Sequence, residues 1–148
     1  MLVETYISLL KRDLVKLKQE LTEYKNQDKI WYVENGITNS AGNLSLHLIG
    51  NINHFIGATL GNTGYVRNRD AEFSLKDVPT SELVKQIDET ISVIESSLGK
   101  LSDEVLDEYF PLLYADQKIS TNHMLVHLIS HLNYHLGQVN YYRRLLDK

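Results

Sequence analysis

His123-Met124-Leu125-Val126-His127-Leu128-Ile129-Ser130-His131-Leu132-Asn133-Tyr134-His135-Leu136-Gly137-Gln138 repeats histidine at every fourth position, with an apolar residue directly after each one. Four residues turn an α-helix through about 400°, so successive histidines are offset by only about 40° and share a face. Met124, Leu128, Leu132, Leu136, Val139 and Leu145 then form the stripe that enters a core, and the stretch predicts a helix from about Thr121 to Leu146. Neighbouring imidazoles lie close enough to grip one ion, because Cβ atoms four residues apart on a helix are about 5 to 6 Å from one another. The whole ladder cannot, since His123 and His135 are about 120° and roughly three turns apart. One adjacent pair is therefore the core of any metal site on this helix.

Working back along the chain, three more segments carry helical periodicity, and both prolines, Pro79 and Pro111, fall outside them. Val3, Tyr6, Leu10, Leu14, Leu17, Leu21 and Tyr24 mark an amphipathic first helix. A polar stretch from Lys25 to Ser40, with Asn35-Gly36, turns the chain, and Trp31 within it is expected to pack back on the bundle. Ser40 is a good N-cap for a second helix carrying Leu44, His47, Leu48, Asn51, His54, Phe55 and Ala58 as far as Gly61-Asn62. The third opens at Thr80 and runs with Leu83, Ile87, Ile91, Ile94 and Leu98 inward to Gly99. Between the second and third lies a long connection, Thr63 to Pro79, with Arg67, Asn68, Arg69, Asp70 and Glu72 close together. Ser102 to Gln117 holds a short helical turn and an aromatic patch, Tyr109, Phe110 and Tyr114, expected to cover one end. No segment alternates as a strand would, so the fold class is all-α, a four-helix bundle in one domain over residues 1–148.

Composition narrows the function. The chain has no cysteine, which removes disulfides, thiolate nucleophiles and Cys-type zinc sites and leaves histidine and carboxylates as metal ligands. A formal net charge of -4 offers no concentrated basic face for phosphate, so nucleic acid is not an expected partner. Glu4 interrupts the first apolar residues, against a signal peptide, and no apolar run approaches the roughly 20 residues that cross a bilayer. A cytoplasmic location, without a membrane partner, is the expectation.

A pair of imidazoles is an incomplete site, because zinc-like ions take three or four ligands. The second helix offers His47 and His54, which are about two turns apart and unsuited to share an ion. One of them with two histidines of the last helix makes a three-nitrogen site with an open position, the arrangement of catalytic zinc. The zinc-protease motif is absent, since His131-Leu132-Asn133-Tyr134-His135 lacks its glutamate, and no helical carboxylate stands ready as a general base. Arg67 and Arg69 could fork onto a carboxylate or phosphate, and the plainer reading of their segment is a salt-bridged, capped loop.

Three stretches carry a resemblance: Asn39 to His47 at the entry of the second helix, Arg67-Asn68-Arg69-Asp70-Ala71-Glu72-Phe73, and His131 to Gln138. Together they resemble the DinB-like superfamily of small metal-binding four-helix bundles over nearly the full length, in a branch that includes His47-Leu48-Ile49-Gly50-Asn51 followed by the Arg-Asn-Arg-Asp segment. The resemblance implies a divalent metal ion, zinc or nickel, on His47, His131 and His135, leaving His54, His123 and His127 outside the triad. It implies an up-down-down-up bundle with a long crossover between helices 2 and 3, and a homodimer. Relatives transfer or use low-molecular-weight thiols or are described as metal-dependent hydrolases. The expectation is thus a metal-dependent hydrolase or thiol S-transferase acting on a small-molecule substrate. Arg67 and Arg69 would hold an anionic group of that substrate, and Asn51 and Gln138 would orient ligands or water. The rival expectation is a non-catalytic dimeric module that binds metal or a small ligand.

Overall fold

A computed structural model describes residues 1–148 and is all-helical. The elements are α1 (Leu2–Glu23), α2 (Ala41–Ile52), α3 (Arg69–Ser74), α4 (Thr80–Leu98) and α5 (Thr121–Leu146), with 3-10 turns at Gln27–Trp31 and Asp103–Asp107. Four of them are long because α2 is prolonged, without a break in the rod, by a π-helical segment Asn53–Ala58 and a last turn Thr59–Gly61. Asn62 then ends the rod in the left-handed region at φ 51°, where the Gly61-Asn62 pair predicts a stop.

The core is the one that the periodicities predict. Val3, Tyr6, Leu10, Leu14, Leu17 and Leu21 of α1 are buried against Leu83, Ile87, Ile94 and Leu98 of α4 and Met124, Leu128, Leu132, Leu136 and Val139 of α5. Polar pairs align α1 with both neighbours. Lys11 and Lys18 meet Glu95 and Asp88 of α4, each at 2.8 Å, while Tyr6 bonds Asn122, Asn133 donates to buried Asp13 (3.1 Å), and Asn140 and Arg143 donate to Glu20 (2.7 and 2.6 Å). On the other side Asn53 donates to Thr90 of α4 (2.9 Å), and the close approaches Gly57 to Val93 and Gly61 to Ser97 follow it. The Asp103 carboxylate accepts from the free N–H groups of Leu2 and Val3 at 3.0 and 3.1 Å, a cap supplied from outside α1.

Five findings depart from the sequence reading. The connection between α2 and α4 is not loop throughout but contains α3, whose Asn68 cap accepts from the N–H of Ala71 (3.2 Å). Buried Asn43 of α2 pins this segment by donating to the carbonyls of Glu72 and Leu75 (3.0 and 2.8 Å). As a consequence every residue from Ala41 to Ile52 is buried, not merely an inward stripe. The π segment was not legible either; there the Asn53 side chain donates to the carbonyl of Ile49 (2.9 Å), competing with the regular ladder. Of the aromatic patch only Phe110 is buried; Tyr109 is 70% exposed. Leu145, assigned to the core stripe, faces outward and is 61% exposed. Trp31 does pack back: it covers Gly42, where an added Cβ would stand 2.7 Å from the indole ring.

Candidate metal centre

Three imidazoles from two helices converge. His47 of α2 and His131 and His135 of α5 have ligand atoms all within 4.8 Å of one another. His47 Nε2 lies 3.2 Å from His131 Nε2, which lies 3.1 Å from His135 Nε2. Nitrogens bound at about 2.0–2.1 Å to one tetrahedral ion are about 3.3 Å apart, so the spacing fits a shared ion. The rings stand nearly at right angles, 83° to 88° between planes, which rules out stacking as the reason for their approach.

The outer nitrogens tell which tautomers are present. A carboxylate only accepts, so His47 Nδ1 carries its proton and donates to Glu72 Oε1 at 3.0 Å, leaving the Nε2 lone pair directed at the other rings. His135 Nδ1 likewise donates to Gln138 Oε1 at 2.7 Å. His131 Nδ1 is buried with no partner, as is Asn51 Oδ1. Bare lone pairs from His47 and His135 flank His131 Nε2, where either a proton on that nitrogen or a shared cation satisfies them.

Electrostatics agree. Burial, reinforced by His135, His47, His127 and Arg67, pushes His131 down to about 3. Burial also lowers His47, against the opposing pull of Glu72. Neutral imidazole is the ligand form, and burial favours it at His47 and His131.

Glu72 is the residue that sequence reasoning missed. It sits in the charged segment of the crossover, yet it is only 5% exposed, and its carboxylate is gripped by Arg67 through Nε to Oε2 and Nη2 to Oε1, both 2.9 Å. The salt-bridged, capped reading of that segment holds for Arg67 and Asn68. Arg69 goes elsewhere: it is exposed, with its guanidinium 5.3 Å from the centroid of the Phe73 ring. The signal that could have found Glu72 is Gly50, a glycine inside α2 one turn beyond His47. A Cβ there would stand 2.6 Å from Glu72 Cδ, and closer still to Oε2.

The remaining histidines lie outside the triad. His54 packs on Phe55 (4.7 Å between ring centroids). His127 stacks at 6.0 Å and 19° on His131 and lies 4.6 Å from Tyr114. His123 lies at the start of α5, where its N–H bonds the Ser120 cap (3.0 Å), and with His127 it borders a polar surface groove. No helix is long and apolar enough to cross a membrane.

No curated protein matches this sequence. The model of a family described as "Protein of unknown function (DUF1572)" matches residues 2–148, and the chain belongs to that family.

Proposed function

We propose that the protein is a metal-dependent enzyme of the DinB-like kind, with His47, His131 and His135 holding one divalent ion, zinc or nickel, that activates water or a small thiol. The observation that carries this reading is the convergence of three Nε2 atoms, two of them deprotonated by their partners on the other side of the ring. When bound, such an ion supplies Lewis acidity enough to make a nucleophile from water or a thiol near neutral pH. Three ligands leave a coordination position for that molecule, and the group of candidate ligands includes no carboxylate to close it.

The chain's own residues have defined parts. Gln138 holds the His135 ring by accepting its Nδ1 proton. Asn51, one turn beyond His47 and with an unpaired buried oxygen, is assigned to orienting a bound ligand or water. The assignment of Arg67 to a substrate anion gives way to its grip on Glu72, and Arg69, exposed near the site's rim, is the cation left for that task.

The up-down-down-up course belongs to the same reading. It is supported by the order of the cross-helix pairs: rising residues of α1 meet falling residues of α4 but rising residues of α5, and α2 rises together with α4. The homodimer is likewise proposed, on the outward face of α5 where Tyr134, Tyr141 and Leu145 are exposed.

The test of the chemistry is incubation of metal-loaded protein with an electrophile and a panel of cellular thiols, beside a panel of activated esters and amides. Accelerated turnover in one panel, absent from the His47→Ala variant, is expected. Rates equal to the metal-free control in both panels refute the catalytic proposal.

A further inference from the structure

Glu72 is placed where a mere surface salt bridge would not be. It is nearly fully buried, comes from the crossover rather than from the two ligand-bearing helices, and uses both oxygens: Oε1 takes the Nδ1 proton of His47 and one Arg67 proton, and Oε2 takes the other Arg67 proton. Two further features keep it there. Gly50 removes the side chain that would occupy the carboxylate's place against α2, although glycine costs a helix interior about 1 kcal/mol. Asn43 fixes the main chain of the same residue through its carbonyl. Three independent features thus converge on the position of one carboxylate.

We infer that Glu72 is the positioning residue of the metal centre, and that Arg67 and Gly50 exist to hold its carboxylate on the back of the His47 ring. This inference rests on the metal reading above. Glu72 does not touch the ion's place; it acts through His47. By accepting from Nδ1 it holds the proton on that nitrogen, so the Nε2 lone pair is free and the ring cannot rotate away from His131. A free imidazole favours neither orientation so strictly, and a ring that flips or carries its proton on Nε2 presents no lone pair to an ion. Arg67 keeps Glu72 aimed, since a bidentate guanidinium grip fixes the plane of a carboxylate.

A second consequence concerns the crossover. Because α3 reaches the site through Glu72 and through Phe73, whose ring centroid lies 4.9 Å from that of His47, metal occupancy and docking of α3 on α2 are linked, and each favours the other by the same factor. The crossover is then more protected from hydrogen exchange in the loaded protein than in the metal-free one.

The experiment compares zinc affinity, by competition with a chromophoric chelator, in the wild-type protein and in Glu72→Ala and Glu72→Gln. It is paired with 15N NMR of the histidine side chains in the metal-free protein. Removing such an outer partner lowers metal affinity about 10- to 100-fold, and that is the loss expected for Glu72→Ala. Glu72→Gln, whose amide oxygen still accepts from Nδ1, recovers part of it. In the wild type the His47 ring carries its proton on Nδ1, and in Glu72→Ala that preference is lost. Affinity of Glu72→Ala within twofold of wild type, or a His47 proton on Nε2 in the wild type, overturns the inference. Should the wild-type protein bind no zinc, the metal reading fails first, and the tautomer measurement still decides whether Glu72 sets the His47 ring. A destabilised Glu72→Ala leaves the decision to Glu72→Gln and to the wild-type spectrum.

Discussion

Gly50→Ala is the perturbation for which general rules and this structure predict opposite signs. In an unhindered helix interior, alanine is better than glycine by about 1 kcal/mol, so the ordinary expectation is a more stable protein. Here the new methyl group would stand 2.6 Å from Glu72 Cδ, a contact that real Cβ atoms do not make, so one partner moves. The α2 backbone cannot, because every residue from Ala41 to Ile52 is buried and packed. Glu72 therefore leaves the back of the His47 ring, giving up a hydrogen bond between charged and neutral groups worth about 1.5–3 kcal/mol. After the gain in helix propensity is subtracted, the variant is expected to lose about 0.5–2 kcal/mol. Urea denaturation of the metal-free protein, followed by circular dichroism, reads this directly, and an unchanged slope keeps the comparison valid. A rise in stability of about 1 kcal/mol, the value for a free helix position, would refute the close approach of Glu72 to α2.

Other consequences are more direct. Leu132→Ala, which empties a fully buried position between two of the histidines, should cost about 2–5 kcal/mol in the same denaturation assay. The His131 pKa lies at about 3 in the folded chain, below its value in the unfolded one, so the unfolded chain takes up the proton first as pH falls. Stability of the metal-free protein should hold above about pH 6.5 and decline from there toward about pH 3, and the decline should flatten in His131→Asn; urea midpoints across that range decide it. Replacement of both Tyr134 and Tyr141 by serine should convert a dimer to a monomer in sedimentation velocity, and an unchanged sedimentation coefficient would remove the proposed face.

Much of this was legible in the sequence because it depends on local periodicity. The four-residue histidine ladder and its leucine stripe define α5 and its inward face, and Ser40, Pro79 and Gly61-Asn62 mark helix ends that the structure keeps. Which adjacent pair of the ladder meets which histidine of α2 is a matter of helix register, and spacing alone left it open; the triad named through the resemblance is the set that converges. Glu72 was out of reach for a different reason. A glutamate among two arginines and an aspartate reads as surface charge, and only the packing of α3 on α2 takes it out of water while leaving Arg69 in it. The midhelix glycine was the one local sign, an unfavourable residue whose explanation lies 22 positions further along the chain. The π segment was hidden in the same way, because Asn53 bonds Ile49 and Thr90 together only once α4 is in place.

The claim on which the rest depends is that the imidazoles of residues 47, 131 and 135 share one ion. Elemental analysis by mass spectrometry, on untagged protein purified without a nickel column, measures this most directly. One equivalent of zinc or nickel per chain in the wild type, and less than a tenth of that in both His131→Ala and His135→Ala, is the expected result. Full metal content in those two variants, or none in a wild-type protein offered zinc and nickel, would contradict the account.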